Sequence, residues 1–239
     1  MTVYISESNF SRIIITLILC LQCVKICAGI EAELNLYVKG TGFHRTLIYH
    51  VNLKNFTYEN CHAAIYMELP SALYVNVNEV ADLTRQGIVT ICSVGETDVE
   101  LFAEKAGHQN VTSCASISSS SFNLTIPLHQ RYHYACETSD YVKVYVPRPK
   151  LLLGCYRRIR DHRVSKINLC QPCVGLATKW REISYRILNN HNYIWLIPVG
   201  NLLFSTFVTC ITLLITIIGA VFVGYAIWAN TLKNRKKKN

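Results

Sequence analysis

The chain has 239 residues, of which 51% are hydrophobic, and a formal net charge of +9. This charge does not predict a nucleic-acid partner, because five positive charges lie in the last seven residues, whereas residues 30–200 contain 17 basic and 14 acidic side chains. About 170 residues between two apolar segments are enough for one ordinary domain with its own core.

Residues 1–29 have the organisation of a secretory signal peptide. Arg12 precedes the nine-residue apolar run from Ile13 to Leu21, and Cys27, Ala28 and Gly29 supply small residues suited to cleavage. The run is too short to cross about 30 Å of hydrocarbon, so a permanent N-terminal anchor is the weaker alternative. The domain that follows is therefore predicted to be lumenal.

Residues 30–200 are predicted to form a lumenal, glycosylated, mainly β domain. Four segments alternate in polarity, and their apolar sets are Leu47, Tyr49, Val51 and Leu53; Ala63, Ile65, Met67 and Leu69; Phe122, Leu124, Ile126 and Leu128; and Val142, Val144 and Val146. Only the segment from Asn78 to Leu83 is typical of a short capped helix, and the serine-rich stretch Ser113 to Ser121 is predicted to be a loop. Short strands at this spacing favour an antiparallel β-sandwich-like fold.

Three N-glycosylation sequons lie in this domain, at Asn55, Asn110 and Asn123. Each would pass the glycosylation machinery during translocation. We expect at least one of them to be modified.

The domain contains seven cysteines that should mostly pair in an oxidising lumen: Cys61, Cys92, Cys114, Cys136, Cys155, Cys170 and Cys173. Because seven is odd, either one thiol stays free or one cysteine bonds to another chain. The sequence leaves the connectivity open.

Cys170 and Cys173 have the spacing of a redox-active dithiol, which makes a membrane-tethered thiol oxidoreductase one alternative function. The segment from Ile167 to Gly175 lacks the βαβ setting of thioredoxin-like sites, so a structural role is favoured.

No catalytic site, metal site or cofactor is predicted. His129 and His133 are four residues apart, but they fall on a strand and its exit, where this spacing does not bring two imidazoles together. No carboxylate pair or equivalent acid and base is visible for glycosyl transfer.

Residues 201–230 are predicted to form one transmembrane helix, since Leu202 to Ala229 contain no charged residue and no histidine. Tyr193 and Trp195 before this segment and Tyr225 and Trp228 at its end suit the two membrane interfaces. Gly219, Ala220 and Gly224 form a candidate face for docking another helix, because small residues let helix backbones approach closely.

Residues 231–239 form a lysine-rich tail that the positive-inside rule places in the cytosol, which gives a type I topology. Lys236 and Lys237 stand fourth and third from the C-terminus, as in a dilysine retrieval signal of the endoplasmic reticulum. A simple stop-transfer cluster is the alternative.

Several motifs resemble, in the same order, those of the PIG-X family of glycosylphosphatidylinositol (GPI) anchor biosynthesis proteins. They are Gly42-Phe43-His44-Arg45, Leu69-Pro70-Ser71-Ala72-Leu73-Tyr74-Val75, Arg131-Tyr132-His133, Leu151-Leu152-Leu153 with Cys155, and Ile197-Pro198-Val199-Gly200. The resemblance extends from about Leu36 to Val223.

The resemblance implies a non-catalytic subunit of GPI mannosyltransferase I in the endoplasmic-reticulum membrane, which stabilises the multi-spanning catalytic subunit PIG-M. That enzyme adds the first mannose during GPI-anchor biosynthesis. Topology and sequons alone would equally permit a single-pass cell-surface receptor, which is the other alternative function.

Overall fold

The alternating segments form strands whose apolar faces meet in a common core. The structure is a computed structural model that describes residues 29–137, 139–160, 162–189 and 193–236. The predicted signal peptide, residues 1–29, lies outside the described residues except for Gly29.

Mostly short connections join the described elements. They are β1 (Glu31–Lys39), β2 (His44–Lys54), β3 (Cys61–Leu69), β4 (Leu73–Tyr74), α1 (Val77–Arg85), β5 (Thr90–Gly95), β6 (Gln109–Ile117), β7 (Ser121–Gln130), β8 (Tyr141–Tyr145), β9 (Lys150–Cys155), β10 (Arg181–Ile183), β11 (Tyr185–Ile187), β12 (Ile194–Pro198) and α2 (Ser205–Lys236). Two 3-10 turns, Cys173–Leu176 and Leu202–Phe204, complete them.

The strands form two five-stranded sheets and a two-stranded ribbon. The first sheet has the order β11-β1-β2-β7-β4, the second has the order β10-β9-β3-β6-β5, and β8 pairs with β12. All pairings between these strands are antiparallel except that of β1 with β11. The predicted fold class, a mainly β sandwich-like domain with a C-terminal apolar helix, is confirmed.

The main core contains the inward faces of both sheets. The predicted sets on β2, β3 and β7 supply Leu47, Tyr49, Val51, Leu53, Ala63, Ile65, Met67, Leu69, Leu124, Ile126 and Leu128, all of them buried. The Tyr49 hydroxyl donates to Met67 Sδ at 3.4 Å between the sheets, and burial raises the pKa of this phenol. Each fully buried Leu or Ile stabilises the fold by about 1.5–3 kcal/mol relative to exposure.

The second sheet is covered on its outer face as well. Residues 162–180, which we call the strap, place Leu169, Cys173 and Trp180 against a second apolar cluster that includes Ala64 and Leu152. β3 is therefore buried on both faces over most of its length. A β-carbon at Gly154 would lie only 2.3 Å from Cβ of Ala177, so the strap approaches β9 closely because this residue is glycine.

The cap of the short helix α1 lies two residues earlier than predicted. Its N-cap is Asn76, whose side chain accepts hydrogen bonds from the backbone amides of Asn78 and Glu79 at 3.0 and 3.4 Å. The prediction that Asn78 begins the helix is wrong, because two asparagines stand near the start and only Asn76 has an extended backbone.

The serine-rich stretch is mostly strand. Ser113 belongs to β6, is buried, and donates through its hydroxyl to the carbonyl oxygen of Thr125 on β7 at 3.0 Å. The predicted loop from Ser113 to Ser121 is therefore wrong except for residues 118–120, because a buried hydroxyl that finds a partner is tolerated inside a sandwich.

The ribbon of β8 and β12 leads into the apolar helix. Trp195 on β12 is fully buried, with the Arg45 guanidinium carbon 4.3 Å from its ring centroid, so its prediction as a membrane-interface residue is wrong. Asn201 accepts a hydrogen bond from the amide of Leu203 at 2.9 Å and caps the turn before α2.

The apolar segment Leu202–Thr231 is 30 residues long, and its most apolar 18-residue stretch has a mean hydropathy of 2.5, so it is long and apolar enough to cross a membrane. Within the described chain no part of its most apolar stretch is buried against the β domain. The helix extends to Lys236, and Lys237 with the rest of the tail lies outside the described residues.

Candidate functional site

Three motifs that are far apart in sequence meet at one end of the first sheet. His44 pairs with His129 across β2 and β7, and Tyr74 on β4 also lies opposite His129. The Gln130 amide donates to the Phe43 carbonyl at 3.0 Å, and the Arg131 amide donates to the Ala72 carbonyl at 2.8 Å. We call this end of β2, β4 and β7 the motif edge.

The rings of the motif edge form a stack of three and a separate pair. The imidazoles of His44 and His129 stack at 4.3 Å between centroids, and Tyr74 stacks on the other side of His129 at 5.1 Å. Phe43 contacts Tyr132 at 4.9 Å. Each motif therefore holds its neighbour in place.

Arg131 fastens the motif edge to the loop that follows β5. Its guanidinium is buried and donates to the carbonyl oxygens of Asp98 and Leu101 at 2.5 and 3.3 Å. It also lies 4.6 Å from the ring centroid of Tyr74. Burial lowers the pKa of Arg131, and the charge of Glu96 opposes that effect, so the side chain remains a cation at neutral pH.

Burial raises the pKa of Tyr74, whereas it lowers the pKa of Arg131. Desolvation raises the pKa of this phenol, and the nearby Arg131 charge offsets part of that rise. The hydroxyl is therefore neutral at physiological pH, and Tyr74 contributes to the site through its ring, which contacts His129 and Arg131.

Exposed rings extend from the motif edge onto the surface. Phe43, Phe102, Tyr132 and Tyr134 are 37%, 42%, 65% and 45% exposed, and Phe102 contacts Tyr134 at 4.9 Å. We call these four residues the aromatic surface. Neighbouring exposed aromatic rings are typical of a contact surface for another protein.

A hydrogen bond between two side chains supports the aromatic surface from beside it. His133 Nδ1 lies 3.0 Å from Glu104 Oε1, and the same oxygen accepts from the Tyr134 amide at 3.2 Å. Although burial alone would raise the pKa of Glu104, hydrogen bonds from its own amide, His133 and Tyr134 lower it overall.

The aromatic surface adjoins the start of the apolar segment. Cys136, four residues after Tyr132, pairs with Asn201 in a parallel bridge, and its amide donates to the Gly200 carbonyl at 2.9 Å. The amide of Leu202 donates back to the Cys136 carbonyl at 3.1 Å. A β-carbon at Gly200 would lie 3.2 Å from Cβ of Ala135, so the last residue of the motif Ile197-Pro198-Val199-Gly200 packs tightly here.

His129 and His133 contact different carboxylates in the structure. His129 Nε2 lies 2.6 Å from Glu79 Oε2, whereas His133 meets Glu104. The residues that come close to His129 are His44 and Glu79, which sequence spacing alone does not bring together. Their only signal in the sequence is the strand pattern around His44 and His129, which permits but does not fix that pairing.

Six of the seven predicted cysteines form three disulfides. The pairs are Cys61 with Cys155, Cys92 with Cys170, and Cys114 with Cys173. Among the described residues the free cysteines are Cys136 and Cys210. Cys136 is therefore the odd cysteine of the domain, and whether it stays a free thiol or bonds to another chain remains a prediction.

These pairings contradict a redox dithiol at Cys170 and Cys173. Each of the two residues bonds to a different strand of the second sheet, so the pair fastens the strap at two points. In the chain-entropy description, closing loops of 59 to 94 residues stabilises the fold by about 4 kcal/mol each.

The predicted glycosylation sites all lie at the surface. Asn55 follows β2, and Asn110 and Asn123 lie on β6 and β7 with exposed side chains. The Asn123 amide oxygen lies 2.8 Å from His50 Nδ1. Their modification remains a prediction.

The candidate helix-docking residues lie on the exposed helix α2. A β-carbon at Gly219 or Gly224 would meet nothing within 4 Å in the described chain, and Ala220 is exposed beside them. Docking by this face remains a prediction, as does retrieval by Lys236 and Lys237.

Comparison with known proteins finds relatives over most of the chain. The human protein named GPI alpha-1,4-mannosyltransferase I, stabilizing subunit (Homo sapiens), is 26% identical over 197 residues, which cover 78% of this chain and 76% of that protein. The rat protein of the same name (Rattus norvegicus) is 24% identical over 201 residues, which cover 78% of each chain. The family model described as PIG-X / PBN1 matches residues 40–228, from the first motif into the end of the apolar segment, and the chain belongs to this family.

Proposed function

We propose that this chain is the non-catalytic stabilising subunit of GPI mannosyltransferase I, the enzyme that adds the first mannose during GPI-anchor biosynthesis. Its partner is a PIG-M-like multi-spanning catalytic subunit. The observation that carries the proposal is the family match over residues 40–228, together with an exposed aromatic surface beside the start of a membrane-length helix.

The geometry suits a partner that lies partly in the membrane. The aromatic surface offers ring contacts just outside the apolar segment, and α2 offers apolar side chains along its length. A multi-spanning protein could contact both at once, through a lumenal loop and a membrane helix. Burying apolar and aromatic area on both proteins would stabilise the partner against unfolding.

The proposed location is the endoplasmic-reticulum membrane, with the β domain lumenal and the tail cytosolic. Three disulfides fit an oxidising compartment, and the five basic residues after Thr231 fit the cytosolic side. Retention predicts that glycans on Asn55, Asn110 or Asn123 stay sensitive to endoglycosidase H. Resistant glycans on most molecules would instead favour a cell-surface protein.

Deletion of the gene tests the function itself. In cells that lack this chain, the abundance of the catalytic subunit and of the first mannosylated intermediate should fall several-fold. Normal levels of both in the deletion would end the proposal.

Replacing two exposed rings tests the surface. Phe43→Ser with Tyr132→Ser should reduce co-purification of the catalytic subunit from detergent, whereas Tyr156→Ser, which changes a ring that is 95% exposed elsewhere, should not. Near-ultraviolet circular dichroism of each purified variant checks that the fold is kept. If the double variant rescues the deletion fully, the aromatic surface is not the contact, although the function could still stand.

A further inference from the structure

His44, Glu79 and His129 bring three metal-binding atoms together at the motif edge. One potential ligand atom from each residue, an imidazole nitrogen or a carboxylate oxygen, lies within 4.8 Å of the other two. Glu79 faces both rings at once, with His129 Nε2 at 2.6 Å from one carboxylate oxygen and His44 Nε2 at 3.5 Å from the other. We propose that these three residues form a zinc-binding site.

The donor set favours zinc over the common hard cations. Two imidazoles and one carboxylate are a ligand set of zinc proteins, whereas calcium and magnesium prefer oxygen ligands alone. Tetrahedral bonds of about 2.0–2.1 Å place donor atoms about 3.4 Å apart, close to the separation of His44 from Glu79. Because the lone pair of an imidazole nitrogen lies in the ring plane, the stacked rings of His44 and His129, which are 17° from parallel, would rotate apart to bind one ion. The hydrogen bond between His129 and Glu79 would open as they do.

The backbone already holds the three ligands. His44 and His129 are directly paired across β2 and β7, so their rings project from one face of the sheet, side by side. Glu79 lies in the first turn of α1, where Asn76 caps the helix. Because the three backbones are fixed before metal binds, little ordering is left for the ion to impose.

The site is also accessible to an ion. The side chains of His44, Glu79 and His129 are 49%, 28% and 19% exposed. Three protein ligands would leave a fourth position open toward solvent.

Zinc at this position would connect the two sheets. α1 packs on β5 of the second sheet, whereas both histidines belong to the first. The ion would therefore link the first sheet to the helix that packs on the second sheet, at the motif edge. Metal binding by the chain itself does not depend on the proposed subunit role.

The test is zinc titration of the full-length chain in detergent, freed of metal by a chelator under non-reducing conditions. Competition with a chromophoric zinc chelator should show one tight site per chain. His129→Gln and Glu79→Gln should each weaken that site at least about tenfold, because a ligand is lost. Zinc should also raise the thermal midpoint of the wild type but not of these variants.

Two control variants exclude other zinc sites. His62→Gln removes an imidazole of the second sheet that bonds only to Ser116 among the described residues, and Cys136→Ser removes the free thiol of the domain. Both should bind zinc as the wild type does. Equal affinity in His129→Gln and His62→Gln, or no tight site in the wild type, would overturn the proposal.

X-ray absorption at the zinc edge of the wild type gives a result that does not depend on any variant folding. The expected first shell contains nitrogen and oxygen, with the multiple scattering of two imidazoles. A sulfur ligand, or a shell of oxygen alone, would contradict the assignment.

Discussion

The guanidinium of Arg131 connects the motif edge to the loop after β5. It donates to two backbone carbonyls and lies over the ring of Tyr74, so a single side chain supports two segments. Hydrogen bonds from a buried charge to backbone carbonyls contribute about 1.5–3 kcal/mol each, and carbonyls left without a donor are costly. The position should therefore tolerate no substitution that lacks a donor.

Arg131→Met should lower the free energy of unfolding by about 2–4 kcal/mol, because it keeps apolar bulk but leaves the carbonyls of Asp98 and Leu101 without this donor. Urea unfolding followed by tryptophan fluorescence measures the change. Arg157→Met, at an exposed position, is the matched control and should change stability by less than about 0.5 kcal/mol. Equal stability of the two variants would show that Arg131 does not hold the loop.

Glu104 predicts a specific pH dependence. Because its folded pKa is lowered, its ionised form stabilises the fold at pH values above the unfolded pKa of about 4.3, and this contribution is lost as pH falls through the folded pKa. Glu104→Gln should therefore be less stable than the wild type at pH 7, and the difference should shrink below about pH 4. Denaturant melts at a series of pH values measure it, and a constant difference would contradict the assignment.

Some single residues were predictable and others were not. The alternating sets on β2, β3 and β7 identify their buried residues, because a strand turns every second side chain inward. The sequence predicts Trp195 at the membrane interface because its ring suits that environment equally well, and only its complete burial in the folded domain shows that it belongs to the core. The helix cap could not be predicted either, because the sequence offers both Asn76 and Asn78 and only the backbone conformation identifies Asn76 as the cap.

At the scale of elements, the strap shows how an irregular segment can be held as firmly as a strand. It has little regular structure of its own, yet two disulfides and an apolar cluster hold it on the second sheet. Its closest approach is at Gly154, where Ala177 and Trp180 occupy the space that a side chain would need.

Gly154→Ala should destabilise the domain by about 1–3 kcal/mol, because the added methyl group would overlap Ala177. Gly107→Ala is the matched control, since a β-carbon there would meet its nearest neighbour, Glu96, at 3.7 Å. Thermal melts of both variants, without reducing agent, measure the difference. A loss of stability in Gly107→Ala equal to that in Gly154→Ala would refute the steric explanation.

Long alternating segments were predictable as elements, but short ones were not. β4, β10 and β11 have two or three residues, too few for a period of two to be recognised. They exist because longer neighbours supply their hydrogen bonds. The strand around Ser113 could not be predicted either, because serine favours loops in the sequence. Its hydroxyl finds its acceptor, the Thr125 carbonyl, only when the opposite sheet is in place.

At the scale of the whole molecule, the sequence predicts a β domain followed by an apolar helix but not the site between them. The motifs containing Phe43, Ala72 and Arg131 are adjacent only after the first sheet has formed. Such contacts depend on strand order, which hydrophobic periodicity does not encode. The family resemblance identifies these motifs in the sequence, and the fold shows that they contact one another.

The exposed helix α2 should contribute to partner binding through its small residues. Ala220→Leu with Gly224→Leu should reduce co-purification of the catalytic subunit, because larger side chains prevent close backbone approach. Ile218→Leu with Phe222→Leu changes the opposite side of the helix with little change in polarity and should leave co-purification unchanged. The reverse pattern, or no effect of either pair, would assign the contact to another face.

The bridge between Cys136 and Asn201 has a consequence for affinity. No unpaired linker separates the β domain from the turn that begins the helix, since Leu202 itself bonds to Cys136. A partner that has bound one of the two surfaces meets the other at a high effective concentration, and little chain entropy is lost on the second contact. Two individually weak contacts would then bind this chain to a large membrane enzyme as tightly as one strong contact would.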